Sequence, residues 1–167
     1  DRLGCYGYAA AATPNLDALA RGGVRFADCV TCAPLTLPAH CSLLTGLTPL
    51  GHGVRNNATY ALADSRRTLA EVLKGSGYQT FAVVAAYVLL SKFGIHQGFD
   101  VFDDSLAVNE LGRGFHSEIP AAAVCEKFRV WFDRSWQRKF FAWVHFYDPH
   151  QPYEPPPPYA GRFRRDP

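Results

Sequence analysis

Thr36 carries the hydroxyl group best placed for nucleophilic chemistry, because the residues after it predict a helix. Pro38 suits a first helical turn, where its missing N–H costs no hydrogen bond, and Gly46 is typical of a helix end. The sequence therefore predicts a helix over residues 38–45 with Thr36 just before it. Unpaired N–H groups and the helix dipole attract anions there, so the hydroxyl could attack a sulfur or phosphorus centre. The local sequence alone favours a simpler interpretation, in which Thr36 only caps the helix.

His145 and His150 are candidate imidazole groups at the end of a predicted strand. Residues 140–147 read FFAWVHFY, a nearly continuous apolar run that is typical of a central strand in a parallel sheet. In doubly wound sheets, ligands bind at the carboxyl ends of the strands, where these two histidines lie. A histidine that is hydrogen-bonded within the core is an equally good interpretation of His145.

The segment that begins at Thr36 resembles the nucleophile motif of the sulfatase family, within the alkaline phosphatase superfamily. The family motif is Cys/Ser-x-Pro-x-Arg followed by Leu-Leu-Thr-Gly. Here residues 36–40 read TLPAH and residues 43–46 read LLTG. Thr36 replaces the Cys or Ser that sulfatases convert to formylglycine, and threonine cannot form that aldehyde. His40 replaces the arginine.

A second resemblance within the superfamily concerns the unmodified threonine. Nucleotide pyrophosphatase/phosphodiesterases use a Thr in a Thr-x-Pro motif, and it is followed by Thr-Gly, Pro, His-Gly and Asn. The spacing here is similar, with TG at residues 45–46, Pro49, HG at residues 52–53 and Asn57. This resemblance favours a phosphoester substrate, in particular a diester, over a sulfate ester.

The resemblance implies a role for each candidate residue. Thr36 would be the nucleophile and a ligand of a divalent metal (Ca2+, Mg2+, Mn2+ or Zn2+), with the remaining ligands expected outside this chain. His40, at the arginine position, would be catalytic. The Asn57 amide would help to hold the developing oxyanion, and His145 and His150 would contact the ester and its leaving group.

The implied activity is metal-dependent hydrolysis of a small-molecule or glycan ester. Two alternatives stay open: a phosphoethanolamine-type transferase, and a non-catalytic remnant that binds an anion. The 167 residues alone are expected to be inactive and to bind no metal tightly. Thr36 would be the only family metal ligand among them, and hard divalent ions need several oxygen ligands.

Composition narrows the other possibilities. A length of 167 residues, with 48% hydrophobic and 19% charged residues, indicates one globular domain. A net charge of +2 does not favour a nucleic-acid partner. The longest apolar run, residues 81–90, is about half of the ~20 residues that a membrane helix needs. The sequence predicts no compartment.

The five cysteines are an odd number, so they cannot all be paired within the chain. Cys29, Cys32, Cys41 and His40 could in principle supply four zinc ligands. The adjacent His and Cys side chains rarely point at one ion, and no second CxxC is present. Buried free thiols are therefore expected.

Helices and strands alternate along the chain. Thr13 and Pro14 predict a helix start, and residues 24–30 predict a strand. The expected buried stripe of the first helix is Leu16, Leu19 and Ala20. Thr68 and Glu71 form a capping box that predicts a further helix after Thr68. Its expected inward residues are Leu69, Val72 and Leu73.

The second half predicts a buried strand over residues 78–85 and a helix over residues 121–133. The alternation predicts an α/β fold of three layers, α/β/α, with a mostly parallel central sheet. The resemblance implies that this fold is alkaline-phosphatase-like but incomplete. Residues 1–167 would be the N-terminal portion of a single sulfatase-like catalytic domain.

Overall fold

The structure is a computed structural model, and it describes residues 2–106, 118–151 and 153–159. The chain divides into two compact units, residues 1–31 and residues 32–167. Three parallel strands and four of the five α-helices in the described residues lie in the larger unit. In chain order the helices are α1 (Pro14–Gly22), α2 (Thr36–Thr45), α3 (Pro49–His52), α4 (Leu69–Gly75) and α5 (Ala121–Ser135), and the strands are β1 (Gln79–Val83), β2 (Val101–Asp103) and β3 (Phe140–Val144).

The smaller unit contains a 3-10 turn at Gly4–Tyr6 and helix α1. Pro14 is the first residue of α1, as predicted. The Thr13 hydroxyl does not cap the helix, because it accepts a hydrogen bond from the Gly4 N–H at 3.0 Å and donates one to Asp17 at 3.1 Å. The two local bonds tie the start of α1 to the turn before it.

The predicted strand over residues 24–30 is wrong. These residues are irregular in the structure, and Val24, Phe26 and Val30 are 84%, 68% and 90% exposed. The predicted buried stripe of α1 is also wrong at Leu16 and Leu19, which are both exposed. A strand needs a partner for its backbone groups, and the described residues of this unit contain no other strand.

The sheet of the larger unit is parallel, with the strand order β2-β1-β3. The central strand is β1, and its last four residues are buried, which confirms the prediction for residues 78–85. The prediction that β3 is central is wrong, since β3 lies at one edge of the described sheet. An apolar run indicates that both faces of a strand are covered, but it does not reveal whether both edges are paired.

Helices cover both faces of this sheet. On one face, the Trp131 ring of α5 stacks on Phe81 of β1 at 4.7 Å between centroids. On the other, the His40 ring of α2 lies 5.4 Å from Trp143 of β3. Trp143 pairs in register with Ala82, whose side chain points opposite to that of Phe81 because strand side chains alternate. The predicted three-layer α/β/α fold is therefore confirmed, and α5 is two residues longer than predicted.

Helix α4 begins with the predicted capping box. The Thr68 hydroxyl accepts a hydrogen bond from the Glu71 N–H at 3.2 Å, and the Glu71 carboxylate accepts one from the Thr68 N–H at 2.7 Å. The predicted inward face is wrong at Leu69 and Val72, which are exposed. Leu73 is half-buried, and Ala70 is the buried residue of the helix. The backbone at Gly98 (φ +85°) approaches the first turn of α4 so closely that a Cβ there would lie 2.3 Å from the Glu71 nitrogen. The Gly98 backbone therefore covers the side of α4 at Ala70 and Glu71.

All five cysteines are free thiols. Only Cys41 is buried, and burial raises the pKa of its thiol to about 12. The prediction of buried thiols is therefore correct for Cys41 and wrong for Cys29, Cys32 and Cys125, which are exposed. Among the described residues, no helix has the length and apolar character that crossing a membrane requires.

Candidate active site

Thr36 is the first residue of α2, so the helix begins two residues earlier than predicted. Pro38 is accommodated in the first turn, where its missing N–H costs no helical bond. The cap position is Leu35, and the Thr36 hydroxyl makes no hydrogen bond within the described residues. The interpretation of Thr36 as a simple cap is therefore wrong. Gly46 ends the helix with φ 70°, as predicted.

Asn57 caps α2 from 20 residues away. Its side-chain oxygen Oδ1 accepts a hydrogen bond of 2.9 Å from the Leu37 N–H. Because a backbone N–H can bond only to the oxygen of the amide, the Nδ2 donors of Asn57 remain available, and they make no hydrogen bond within the described part of the chain. The hydrogen bond to Oδ1 thus fixes the orientation of the Asn57 side chain and leaves Nδ2 able to donate to another group.

The prediction that several helix N–H groups are open to an anion is wrong. The Leu37 N–H bonds to Asn57, Pro38 has no N–H, and the Ala39 N–H bonds to the Leu35 carbonyl at 3.0 Å. In this first turn, the described residues leave the Thr36 N–H without a partner. Two donors therefore remain at this first turn in the described residues, and these are the Thr36 N–H and Nδ2 of the Asn57 amide that bonds to Leu37.

His40 lies one helical turn after Thr36, on the same face of α2. Its Nδ1 donates a hydrogen bond of 2.7 Å to the Thr36 carbonyl, which can only accept. In the neutral ring this bond places the proton on Nδ1 and leaves the lone pair on Nε2. Burial lowers the pKa of His40 although the bond to Thr36 opposes that change. His40 is therefore a neutral imidazole near pH 7.

His145 follows β3 directly, and it has the opposite tautomer. Its Nδ1 accepts a hydrogen bond of 3.3 Å from the Ala85 N–H, so the proton of the neutral ring is on Nε2. Burial, with a smaller contribution from His40, lowers the pKa of His145 to about 4. The His40 and His145 rings lie 5.2 Å apart and meet edge to face. One nitrogen of His145 is thus satisfied by the backbone, and the other makes no hydrogen bond within the described residues.

His150 lies farther from the helix. It is exposed, its Nδ1 bonds to the Gln151 carbonyl at 2.7 Å, and its ring stacks on Tyr147 at 4.3 Å. Tyr147 in turn lies 6.2 Å from the His145 ring. The structure therefore brings Thr36, His40, Asn57 and His145 together, and among the described residues Tyr147 is the side chain that contacts both His145 and His150.

Sequence reasoning missed Tyr147, whose pKa is raised by burial and by the nearby Glu118. The sequence contained an indication that Tyr147 lies near His145, because the two are two residues apart and alternate residues of an extended segment share a face. It also missed Ser42, which bonds to His52 at 3.0 Å. Ser42 is six residues after Thr36 in α2, and nothing in its spacing distinguishes it.

The family model described as Sulfatase matches residues 1–167, which is the whole chain. The chain belongs to the sulfatase family.

Two curated sulfatases illustrate the similarity. Human arylsulfatase A is 38% identical over 112 residues, which are 60% of this chain and 22% of that protein. An N-acetylglucosamine-6-O-sulfatase from Bacteroides thetaiotaomicron is 35% identical over 98 residues, which are 59% of this chain and 17% of that protein. The sulfatase-family chain thus spans about a fifth of the length of these relatives.

A solved structure shows the same fold. The phosphonate monoester hydrolase of Agrobacterium radiobacter superposes with a TM-score of 0.77, at 22% sequence identity, over 98% of this chain and 41% of the other. The three-layer arrangement of the sulfatase-family chain is therefore alkaline-phosphatase-like, as predicted, and it corresponds to a part of that fold.

Members of the sulfatase family bind divalent metals, and such an ion needs a set of ligand side chains around Thr36. The described residues contain no group of three or more His, Cys, Asp or Glu side chains that could hold an ion. Thr36 offers a neutral hydroxyl, and its polar neighbours are imidazoles and an amide rather than carboxylates. Hard divalent cations need several oxygen ligands, so the described residues alone do not fit such an ion.

Proposed function

We propose that this chain supplies the nucleophile end of a metal-dependent, sulfatase-like ester hydrolase, with Thr36 as the attacking residue and a phosphoester, in particular a diester, as the preferred substrate. One observation carries the proposal. The unbonded hydroxyl of Thr36 lies at the start of α2, on the helical face that also presents the neutral His40. A hydroxyl, an acceptor and oxyanion donors are the groups that nucleophilic ester cleavage requires.

In the first step, Thr36 Oγ1 bonds to phosphorus and its proton moves to His40 Nε2, the ring nitrogen with the free lone pair. The bond from phosphorus to the leaving oxygen breaks, and its electron pair stays on that oxygen. His145 Nε2–H can hydrogen-bond to this oxygen and stabilise its charge, whereas full loss of that proton is unfavourable because a neutral imidazole is a very weak acid. Solvent protonates the leaving group. In the second step, the oxygen of a water molecule bonds to phosphorus and the bond from phosphorus to Thr36 Oγ1 breaks. The water gives one proton to solvent, and Thr36 Oγ1 takes back its proton from His40 Nε2.

The proposed oxyanion donors are the Thr36 N–H and Asn57 Nδ2. The bond from Leu37 to Asn57 Oδ1 fixes this amide before substrate binds. A preorganised donor does not need to reorient in the transition state, and losing one costs on the order of 10²–10³ in rate. Asn57 therefore has two roles in the proposal, one as a helix cap and one as an oxyanion donor.

The choice of phosphorus over sulfur rests on the nucleophile. Threonine cannot form the aldehyde that sulfatases use, so Thr36 has to attack as an alcohol. The family's fold is found in a phosphonate monoester hydrolase as well as in sulfatases, which supports either type of ester. The proposed substrate is a small-molecule or glycan ester.

The metal is part of the proposal for the whole protein. A helix terminus contributes at most ~2 kcal/mol to anion binding, whereas enzymatic rate enhancements require about 8–23 kcal/mol. Thr36 is proposed as one ligand of the metal. Together with His40 and His145 it does not make a complete metal site within the described residues. We therefore expect the 167 residues alone to be inactive.

The test of this function is a paired assay of the full-length protein with added divalent metals. Turnover of bis(4-nitrophenyl) phosphate faster than that of 4-nitrophenyl sulfate supports the proposal, and a clear preference for the sulfate contradicts it. Binding of phosphate without turnover of either ester would instead favour the non-catalytic remnant. Thr36→Ala is the matched variant and should abolish turnover.

A further inference from the structure

His52 is a buried histidine that the proposed chemistry does not use. It is the last residue of α3 and is only 2% exposed. Burial lowers the pKa of its ring, with a smaller lowering contribution from Arg66 and an opposing backbone hydrogen bond at Pro38. The ring is therefore neutral near pH 7, so that one nitrogen accepts a hydrogen bond and the other donates one.

The two nitrogens of His52 join different segments. Nδ1 accepts a hydrogen bond of 3.1 Å from the Val54 N–H, so Nε2 carries the proton and donates to the Ser42 hydroxyl at 3.0 Å. Ser42 belongs to α2, and Val54 belongs to the loop that leads to Asn57. His52 thus connects the helix that begins with Thr36 to the loop that carries Asn57.

The loop over residues 53–57 is attached to α2 at both of its ends. At one end the attachment is the bond from His52 to Ser42, and at the other it is the bond from Leu37 to Asn57. Ala58, directly after this loop, has a left-handed backbone with φ 62°. That conformation costs roughly 1–2 kcal/mol for a residue with a Cβ, so contacts elsewhere must hold the loop in place.

We propose that His52 is a positioning residue, which holds the loop against α2 and so sets the direction of the Asn57 amide. The catalytic part of this inference rests on the proposed function, in which Asn57 Nδ2 stabilises an oxyanion. Small errors in the placement of a catalytic group can cost on the order of 10² in rate. The non-bridging oxygens of a phosphate diester are already anionic in the bound substrate, so a weakened contact with Asn57 should lower kcat/KM. The loss appears in kcat to the extent that the contact is stronger in the transition state.

Two substitutions separate the two bonds of His52. His52→Asn keeps an acceptor near the position of Nδ1 and loses the bond to Ser42, whereas His52→Gln keeps a donor near the position of Nε2 and loses the bond from Val54. Each should lower kcat on the order of tenfold in the full-length protein. Ser42→Ala removes the hydroxyl and leaves the Pro38 carbonyl as an acceptor for the His52 ring, so it should lower kcat less than His52→Asn does. His96→Asn, which changes an exposed loop histidine beside Phe102, is the matched control and should leave kcat unchanged.

The decisive comparison repeats His52→Asn in an Asn57→Ala background. If His52 acts through Asn57, its substitution should cost less than about twofold there, because coupled residues are not additive. Equal losses in the two backgrounds would show that His52 has only a general structural role and would overturn the inference.

A second readout does not depend on activity. Hydrogen exchange at the Leu37 amide reports the bond to Asn57, and it can be followed by mass spectrometry of a peptide that spans residues 34–45, because the first two residues of a peptide do not retain deuterium. Exchange there should become faster in both His52 variants and stay unchanged in His96→Asn. Unchanged Leu37 exchange in the His52 variants would overturn the positioning role. If Asn57→Ala leaves the rate of ester cleavage unchanged, the proposed oxyanion role of Asn57 fails, and the exchange result still decides whether His52 positions the loop.

Discussion

The rings of His40 and His145 meet edge to face at 5.2 Å with opposite tautomers. Each tautomer is set by the backbone, since His40 Nδ1 donates to the Thr36 carbonyl and His145 Nδ1 accepts from the Ala85 N–H. The pair therefore presents one lone pair and one N–H donor, and within the described residues no carboxylate bonds to either ring. This complementarity requires both rings to be neutral, and burial provides that condition by lowering both pKa values.

Acid should destabilise the protein through His145. Its pKa is about 4 in the folded protein, against 6.5 for an ordinary histidine, so the unfolded chain binds more protons between these values. Its contribution to stability is complete above pH 6.5 and decreases as the pH falls toward 4. His145→Asn keeps an acceptor for the Ala85 N–H and removes the titrating group. Urea unfolding at several pH values should show that acidification lowers the free energy of unfolding less in this variant than in the wild type.

The control for this experiment is His150→Asn, because His150 is an exposed histidine of the same segment. Acidification should lower its free energy of unfolding by the same amount as that of the wild type. If the free energy of unfolding of His145→Asn falls with pH as it does in the wild type, another group causes the acid sensitivity.

Asn57→Ala and Asn57→Asp should separate the two roles of this side chain. The alanine variant loses both the cap and the Nδ2 donor, so kcat should fall on the order of 10²–10³. The free energy of unfolding should fall by about 1 kcal/mol, as for other helix caps. The aspartate variant keeps an acceptor for the Leu37 N–H and should retain the stability while losing the activity. Full activity in the aspartate variant would remove Nδ2 from the proposed mechanism.

Thr68→Ala should lower the free energy of unfolding by about 1–2 kcal/mol. The Thr68 hydroxyl accepts from the Glu71 N–H and also donates to the Gln97 carbonyl at 2.9 Å, and the side chain is 1% exposed. Thr68→Ser keeps both bonds and is the matched control. Equal stabilities of the alanine and serine variants, measured by urea unfolding, would show that these bonds contribute little.

The 167 residues expressed alone should bind no divalent metal tightly. The described residues assemble no set of three or more ligand side chains, and one neutral hydroxyl cannot hold a hard cation. Calorimetric titration with calcium, magnesium, manganese and zinc measures this directly. A stoichiometric, tight site that is lost in Thr36→Ala would show that the chain holds ligands beyond those recognised.

Local rules predicted the parts of the fold that depend on neighbouring residues. The capping box at Thr68, the left-handed stop at Gly46 and helix α5 each follow from residues within one or two turns. The strand predicted over residues 24–30 failed because pairing depends on distant residues. The edge position of β3 was missed for the same reason.

The candidate site also combines features that the local sequence predicts with features that depend on distant residues. Thr36 and His40 lie on one helical face because they are four residues apart, and this was readable from spacing. The approach of His145 to α2 depends on how the helix packs on the sheet, and only the family resemblance connected the two in advance. The bond from Leu37 to Asn57 spans 20 residues, and no local pattern indicates that Asn57 also caps the helix.

The central claim is that Thr36 is the nucleophile, and trapping its covalent intermediate tests it most directly. The full-length protein would be mixed with bis(4-nitrophenyl) phosphate and added metal, quenched with acid during turnover, and digested for peptide mass spectrometry. The account predicts a phosphoryl ester on Thr36, seen also in Thr36→Ser and absent, together with turnover, from Thr36→Ala. Turnover without an adduct on Thr36, or turnover that persists in Thr36→Ala, would contradict it.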